Sequence, residues 1–317
     1  MDASVRIEPG RSRGFVPELQ AFWRAMPDKG VFGVLLAAWV LLFQYYGWTT
    51  ETAGQTGSLF DWMWAKWSDA TNDAGHGKLI PWVVLGVLWF RRERLVKSVA
   101  GVWWPGLAGV GLALALHVVG FVVQQPRLSM VALFFGAWSL TGVVWGRETL
   151  KATFFPFFIF AFCVPVGGTF AQGLTMNMRL WAAKATKYLT DDVLGIQVVR
   201  TGTNLMDPHG YFNCEVAAEC SGIRSFVALL ALSTIFSVLA MRGFWKRAVM
   251  IGLSVPIALI CNVLRLIAII LVATAFRSRA AGNFVHEWFG YVTYMIGIGI
   301  LLLAARWLGE KPLPPPP

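Results

Sequence analysis

Charge is what this chain has least of. Asp, Glu, Lys and Arg make up only 14% of its 317 residues, where a soluble chain carries roughly 25%. Acids are the scarcer sign, 17 against 27 Lys and Arg, and there are four histidines and four cysteines. Each shortage excludes something. Four cysteines are too few for a disulfide framework, and Cys163 and Cys261 lie inside apolar runs, where a thiol is ordinarily a small core residue. There is no HExxH metalloprotease helix, since His286 is followed by Glu-Trp-Phe-Gly. Alternating ten-residue segments of the kind that build membrane barrels are absent too. No internal repeat is evident, and no cleavable signal peptide is expected, because the first apolar run starts only near Val31.

What the chain has in place of charge is apolar surface. The AVILMFWYC set reaches 56%, and the 32 glycines add about 10%. A soluble protein of this length cannot hide so much, which rules out both disorder and an ordinary globular enzyme. The net charge of +10 then reads as the basic loops of a membrane protein facing anionic headgroups, and nucleic acid is not an expected partner.

Apolar runs long enough to approach the 30 Å of hydrocarbon fall at roughly 31–47, 79–90, 99–123, 130–146, 152–170, 223–241, 248–275 and 287–307. They predict an all-α polytopic bundle of about eight transmembrane helices, since backbone polar groups in lipid must pair within each span. Basic residues cluster at alternate ends: Arg11, Arg13, Arg24 and Lys29; Arg91, Arg92, Arg94 and Lys97; Arg147 and Lys151; Arg242, Lys246 and Arg247; Arg306 and Lys311. With eight crossings all of these share one side, so both termini are expected in the cytoplasm of a cell whose inner or plasma membrane holds the protein. Residues 1–30 are then a cytoplasmic segment, 31–308 a single transmembrane domain, and 309–317 a Pro-rich cytoplasmic tail. The one long extracytoplasmic loop is 171–222; Leu174–Leu189 in it is amphipathic, and Gly195–Gly202 reads as a short extended stretch.

Ionisable groups in or beside membrane spans are functional candidates by default. Three groups stand out: Glu219-Cys220-Ser221-Gly222-Ile223-Arg224-Ser225 at the entrance to the sixth run, Asn262-Val-Leu-Arg265 inside the seventh, and His286 just before the eighth. The expected topology brings all three toward the outer face, with Arg265 about 26 Å along its helix from the inner end. A thiolate at a helix N-terminus is an activated nucleophile. A nearby His can serve as general base and then acid, and Arg265 can stabilise an oxyanion with Asn262 orienting it. Taken singly, each residue has a plainer reading: a small buried thiol, an arginine snorkelling to headgroups, an inert loop histidine. Zinc ligation by His209, Cys214, Cys220 and His286, a Cys214–Cys220 disulfide and a serine nucleophile at Ser221 are the competing chemistries. The zinc set has no compact spacing, and no metal or other cofactor is expected.

The residues, in this order, resemble the exosortase/archaeosortase family of membrane transpeptidases. The likeness runs over roughly 70–305: Asn72-Asp73-Ala-Gly-His76-Gly77, Pro81, Thr153-Phe-Phe-Pro156, Val164-Pro165, Cys220-Ser-Gly-Ile-Arg-Ser225, Pro256, Asn262-Val-Leu-Arg265 and His286. The resemblance implies a cysteine protease or transpeptidase, a hydrolase acting on peptide bonds. Its partners would be exported, membrane-anchored proteins whose C-terminal sorting signal is a motif, a transmembrane helix and a basic tail, as in PEP-CTERM proteins. It implies catalytic roles for Cys220, Arg265 and His286 on the extracytoplasmic side, and transfer of the new C-terminus to a cell-surface acceptor such as a glycan or lipid. Ser221, Gly222, Arg224, Ser225, Asn262, Glu219 and His76 would support them. Glu219 departs from the small residue expected before the nucleophile, and Cys214 is an extra thiol nearby. The reading from another class is a transporter or lipid-handling scaffold that holds an anionic group with Arg265 and His286.

Overall fold

The computed structural model describes residues 15–49, 56–69, 75–165, 169–208, 213–215, 223–241, 243–276 and 279–308. Contacts divide the described residues into two compact units. The first takes the described residues up to Ser68 and Gly77–Val164; the second takes those from Pro165 onward together with Asp69, Gly75 and His76.

The first unit begins with α1 (Phe15–Ala25) and α2 (Lys29–Tyr45), which meet at 94°. Pro27 and the left-handed Asp28 (φ 49°) make the elbow. Its geometry is fixed from outside: the Trp145 indole donates to the Pro27 carbonyl at 2.8 Å, and the Trp145 and Phe32 rings lie 4.3 Å apart. A two-stranded ribbon of β1 (Trp48–Thr49) and β2 (Thr56–Gly57) and the short helix α3 (Leu59–Ser68) follow. After a 3-10 turn at Gly75–Lys78 come α4 (Ile80–Phe90), α5 (Arg92–Ser98), α6 (Gly106–Val122), α7 (Pro126–Trp145) and α8 (Arg147–Ile159).

The centre of this unit is α7, buried along most of its length and packed by α2, α6 and α8. Lipid offers no hydrophobic gain for helix association, so close approach through small residues has to supply it. Trp39 of α2 shows how. Its indole donates to the Leu133 carbonyl at 3.0 Å, and its ring occupies the space over Gly136, where a Cβ would sit 2.0 Å from Trp39 Cζ2.

In the second unit, α9 (Thr169–Lys187) runs into a π-helical turn at Tyr188–Val193 and then a three-stranded antiparallel sheet, β3 (Val199–Thr201), β4 (Asn204–Met206) and β5 (Asn213–Glu215). Gly202 (φ 64°) opens the two-residue β3–β4 hairpin, a place that needs a positive φ. Within the expected loop 171–222, the described residues thus carry a helix, a π-helical turn and three strands. Two short connections join α10 (Ile223–Ala240), α11 (Phe244–Phe276) and α12 (Arg279–Trp307). The first half of α11 is packed by α10 and α12, with Met250, Ile257 and Cys261 against Leu229 and Leu301. The second half is packed by α9 and the sheet, with Val263, Leu266, Ile270 and Ala273 against Ala182, Ala183, Val198 and Leu205.

All-α membrane architecture is therefore shown. On length and composition three described helices can cross a bilayer, Pro126–Trp145, Phe244–Phe276 and Trp288–Trp307, and the bent α1–α2 pair adds a fourth if it is one span. Helices stand at the other expected runs, but they are shorter. Gly101 (φ 93°) and Pro105 delay α6 to Gly106, and α8 ends at Ile159, ahead of Pro165.

Replacing Gly136 with Val places branched carbons inside the Trp39 ring. The expected result is a loss of about 1–3 kcal/mol, read as a lower unfolding temperature in detergent and partly restored by Trp39→Leu. Unchanged stability would mean that α2 and α7 are not held at this distance by the indole.

Candidate active site

Each candidate residue has a definite place in the chain's architecture. Glu219, Cys220, Ser221 and Gly222 lie outside the described residues, between β5, which ends at Glu215, and α10, which begins at Ile223. Cys220 is therefore three residues ahead of α10. Arg224 and Ser225 belong to the first turn of α10 and His286 to α12, with their side chains outside what is described. Asn262 and Arg265 are on α11, and His76 is in the 3-10 turn at Gly75–Lys78 with its Nδ1 buried. The four residues weighed as zinc ligands, His209, Cys214, Cys220 and His286, also fall outside the described side chains.

The α10–α12 bundle supplies a common level from which depths can be reckoned. At Gly297 of α12 an added Cβ would meet Leu229 Cδ1 at 3.2 Å and Cys261 Sγ at 3.3 Å, so positions 229, 261 and 297 lie at one height. A helix rises 1.5 Å per residue. Toward the end where α10 starts, Ile223 is then about 9 Å above that level, Arg265 about 6 Å, Gly290 about 10 Å and His286 about 16 Å. The arginine side chain covers the difference. Its guanidinium reaches Gly290, where a Cβ would lie 3.4 Å from Nη2 and 3.5 Å from Cζ. Arg265 thus presents its charge at the height where α10 begins, with position 286 one turn further along the same face of α12 as Gly290.

Two neighbours shape this spot. Asn262, one turn before Arg265 on the same face of α11, is only 5% exposed, and its Oδ1 has no hydrogen-bond partner among the described residues. A buried amide oxygen left so is costly. On α12, one turn beyond Gly290, the Thr293 hydroxyl turns back onto its own helix, donating to the Phe289 carbonyl at 2.7 Å. Arg265 does not stand at the end of its helix, because α11 continues eleven residues to Phe276 under α9 and the sheet.

Two further residues carry weight that the sequence does not announce. Gly290 matters only once α12 is seen against Arg265. Gly77, beside His76, is explained by Trp67: the Trp67 indole donates to the Cys163 carbonyl at 3.0 Å, and the Cys163 thiol donates to the Gly77 carbonyl at 3.6 Å. A Cβ at Gly77 would come within 2.3 Å of the indole nitrogen. The His-Gly pair is the visible signal for this knot, while Trp67 is hidden among 16 tryptophans.

The match to known families coincides with this arrangement. The family model for transmembrane exosortases matches residues 64–303. The chain belongs to the transmembrane exosortase family. That span takes in the Trp67–Gly77–Cys163 knot, the chain from β5 to α10, and the Arg265–Gly290 contact. Neither a curated protein nor a solved structure matches the chain. Exosortases as a family are membrane transpeptidases that process sorting signals, and this exosortase is a multi-pass membrane protein built of helices.

The Gly290 contact separates two substitutions. Gly290→Ala adds a methyl at ordinary contact distance and is expected to retain processing of a co-expressed substrate. Gly290→Leu displaces the guanidinium and is expected to lower processing at least tenfold while the protein still inserts and survives detergent extraction. Equal activity in the two variants would show that the position of Arg265 against α12 is immaterial.

Proposed function

We propose that this exosortase cleaves exported, membrane-anchored proteins at a C-terminal sorting signal through a thioester on Cys220, and passes the new C-terminus to a cell-surface acceptor. The observation that carries the reading is the Arg265 guanidinium, held against Gly290 at the height where α10 begins, three residues after Cys220.

The chemistry follows from those positions. The positive end of the α10 dipole and a nearby guanidinium favour the thiolate of Cys220, whose proton passes to His286. The thiolate attacks the scissile carbonyl carbon and a C–S bond forms. The carbonyl oxygen takes the electron pair and is stabilised by Arg265, whose planar fork of donors suits a developing oxyanion. As the oxyanion collapses the C–N bond breaks, and His286 gives a proton to the departing amine. An acceptor amine, or water, then attacks the thioester after His286 removes its proton, and the C–S bond breaks to restore the thiolate beside the protonated His286. Asn262, Glu219, Ser221, Gly222, Arg224, Ser225 and His76 are assigned supporting places around this centre.

The membrane topology is part of the same proposal. Eight crossings put both termini in the cytoplasm and the Cys220 segment on the extracytoplasmic side. The length of α11 supports an exposed outer portion. Thirty-three residues span about 50 Å against about 30 Å of hydrocarbon. Burying all of it would need a tilt of about 53°, beyond the usual 0–40°. The half of α11 covered by α9 and the sheet is the part that extends past the lipid.

Cys220→Ala is expected to leave a tagged, co-expressed substrate uncleaved while the protein accumulates normally, and Arg265→Lys to slow cleavage by about 100-fold, since the ammonium lacks the fork. Full processing by the Cys220→Ala protein would sink the proposal. If Arg265→Ala alone abolished function and Cys220→Ala did not, the lipid-handling reading would replace it.

A further inference from the structure

α1 has no buried residue, yet it is held in place from several directions. Phe15 and Phe22 lie 5.0 and 6.3 Å from the Trp89 ring, and Glu18 accepts a 2.9 Å bond from Arg92. The elbow behind it is tied to α7 through Trp145 and Pro27. Phe15, Val16, Leu19 and Trp23 recur at helical spacing and are 63, 60, 42 and 59% exposed, so they form one largely open apolar stripe, flanked by Trp89 at Phe15 and by the Lys29 ammonium at Trp23. The helix stands at 94° to α2. When α2 crosses the bilayer, α1 therefore lies along its surface, where such a stripe has a place among headgroups and upper acyl chains.

Beside α1 the chain breaks helix at Arg91, between α4 and α5, and forms a cleft of about 470 Å³ lined by Phe90, Arg91, Arg92, Glu93, Arg94 and Lys97. Arg92 is already committed to Glu18 and stacked 4.6 Å over Trp89. Arg94 and Lys97 are three apart on the exposed side of α5 and make no ion pair among the described residues. Four cations against the two acids Glu18 and Glu93 leave the cleft positive, at the membrane surface that α1 defines.

We propose that α1 and α5 form a membrane-surface platform whose cleft binds the phosphate of an anionic phospholipid through Arg94 and Lys97, with the α1 stripe seated among the lipid's neighbours. The site lies wholly in the first unit and stands independently of the chemistry assigned to Cys220. Its function is to fix the depth and tilt of α2 and α4 in anionic membranes.

The test uses the full chain in a zwitterionic detergent, titrated with short-chain phosphatidylglycerol or phosphatidylcholine, with bound lipid counted by native mass spectrometry. Phosphatidylglycerol is expected to be retained in preference to phosphatidylcholine. Arg94→Gln with Lys97→Gln should weaken the phosphatidylglycerol affinity by roughly 30-fold, the loss expected for two surface cations, and leave phosphatidylcholine unchanged. Equal retention of the two lipids by the unaltered protein, or an affinity untouched by the double substitution, overturns the proposal. Displacement of the lipid by inorganic phosphate at the lipid's own concentration overturns it as well, by making the ligand a free phosphate.

Discussion

A guanidinium can be carried inside a helical bundle only where the facing helix leaves room for it, and in this protein that room is Gly290. The contact ties Arg265 of α11 to α12 at 3.4–3.5 Å from where a Cβ would stand. Three α12 positions one seam apart, Gly290, Thr293 and Gly297, are glycine or a threonine whose hydroxyl bonds its own backbone. The seam lets α11 approach closely. The same seam sets the helix register through Gly297, Cys261 and Leu229, and that register delivers the start of α10 to the height of the guanidinium. A stripe of missing carbons on α12 is thus what brings Arg265 against Gly290 and aligns Gly297 with Leu229 and Cys261.

α11 unites two environments. Its first half is an ordinary membrane helix between α10 and α12, packed by Met250, Ile257 and Cys261. Its second half is covered by the small residues Ala182 and Ala183 of α9 and by Val198 and Leu205 around the sheet. Asn262 and Arg265 stand at the changeover. Under the proposed topology a charged side chain at that place avoids the cost of the bilayer centre and still has a low-dielectric surrounding in which its field is strong. The sheet also ends at Glu215, so the strand that leads toward Cys220 leaves from the structure that covers the second half of α11. Both ends of the Cys220 segment are thereby anchored in one unit.

The membrane class was legible in the 56% apolar composition, and its helical character in the length of the apolar runs and their lack of alternation. Helices stand close to the apolar runs, and the candidate residues Asn262 and Arg265 were legible as polar groups three apart in an apolar run. Helix ends were less so. Gly101 and Pro105 shorten the third run, and Pro165 the fifth, through backbone effects that a hydropathy count does not register. The folded content of 171–222 was only half visible: alanines that pack α9 onto α11 look neutral in sequence, although the glycine-bounded stretch did become β3 and its hairpin. Gly290 and Gly136 were not legible as important, because what crowds each is a side chain from elsewhere, Arg265 or Trp39, and Gly77 was legible only through the His-Gly pair, with its partner Trp67 hidden. A glycine's neighbours are a property of the fold.

The central claim is that Cys220 carries the acyl group between cleavage and transfer. The most direct measurement is mass spectrometry of the peptide containing Cys220, taken from membranes in which enzyme and substrate are quenched in acid during turnover. The account predicts a thioester adduct whose mass equals the substrate upstream of the cleaved bond, released by neutral hydroxylamine. Substrate turning over at full rate with Cys220 alkylated, or with its peptide never bearing the adduct, would contradict it.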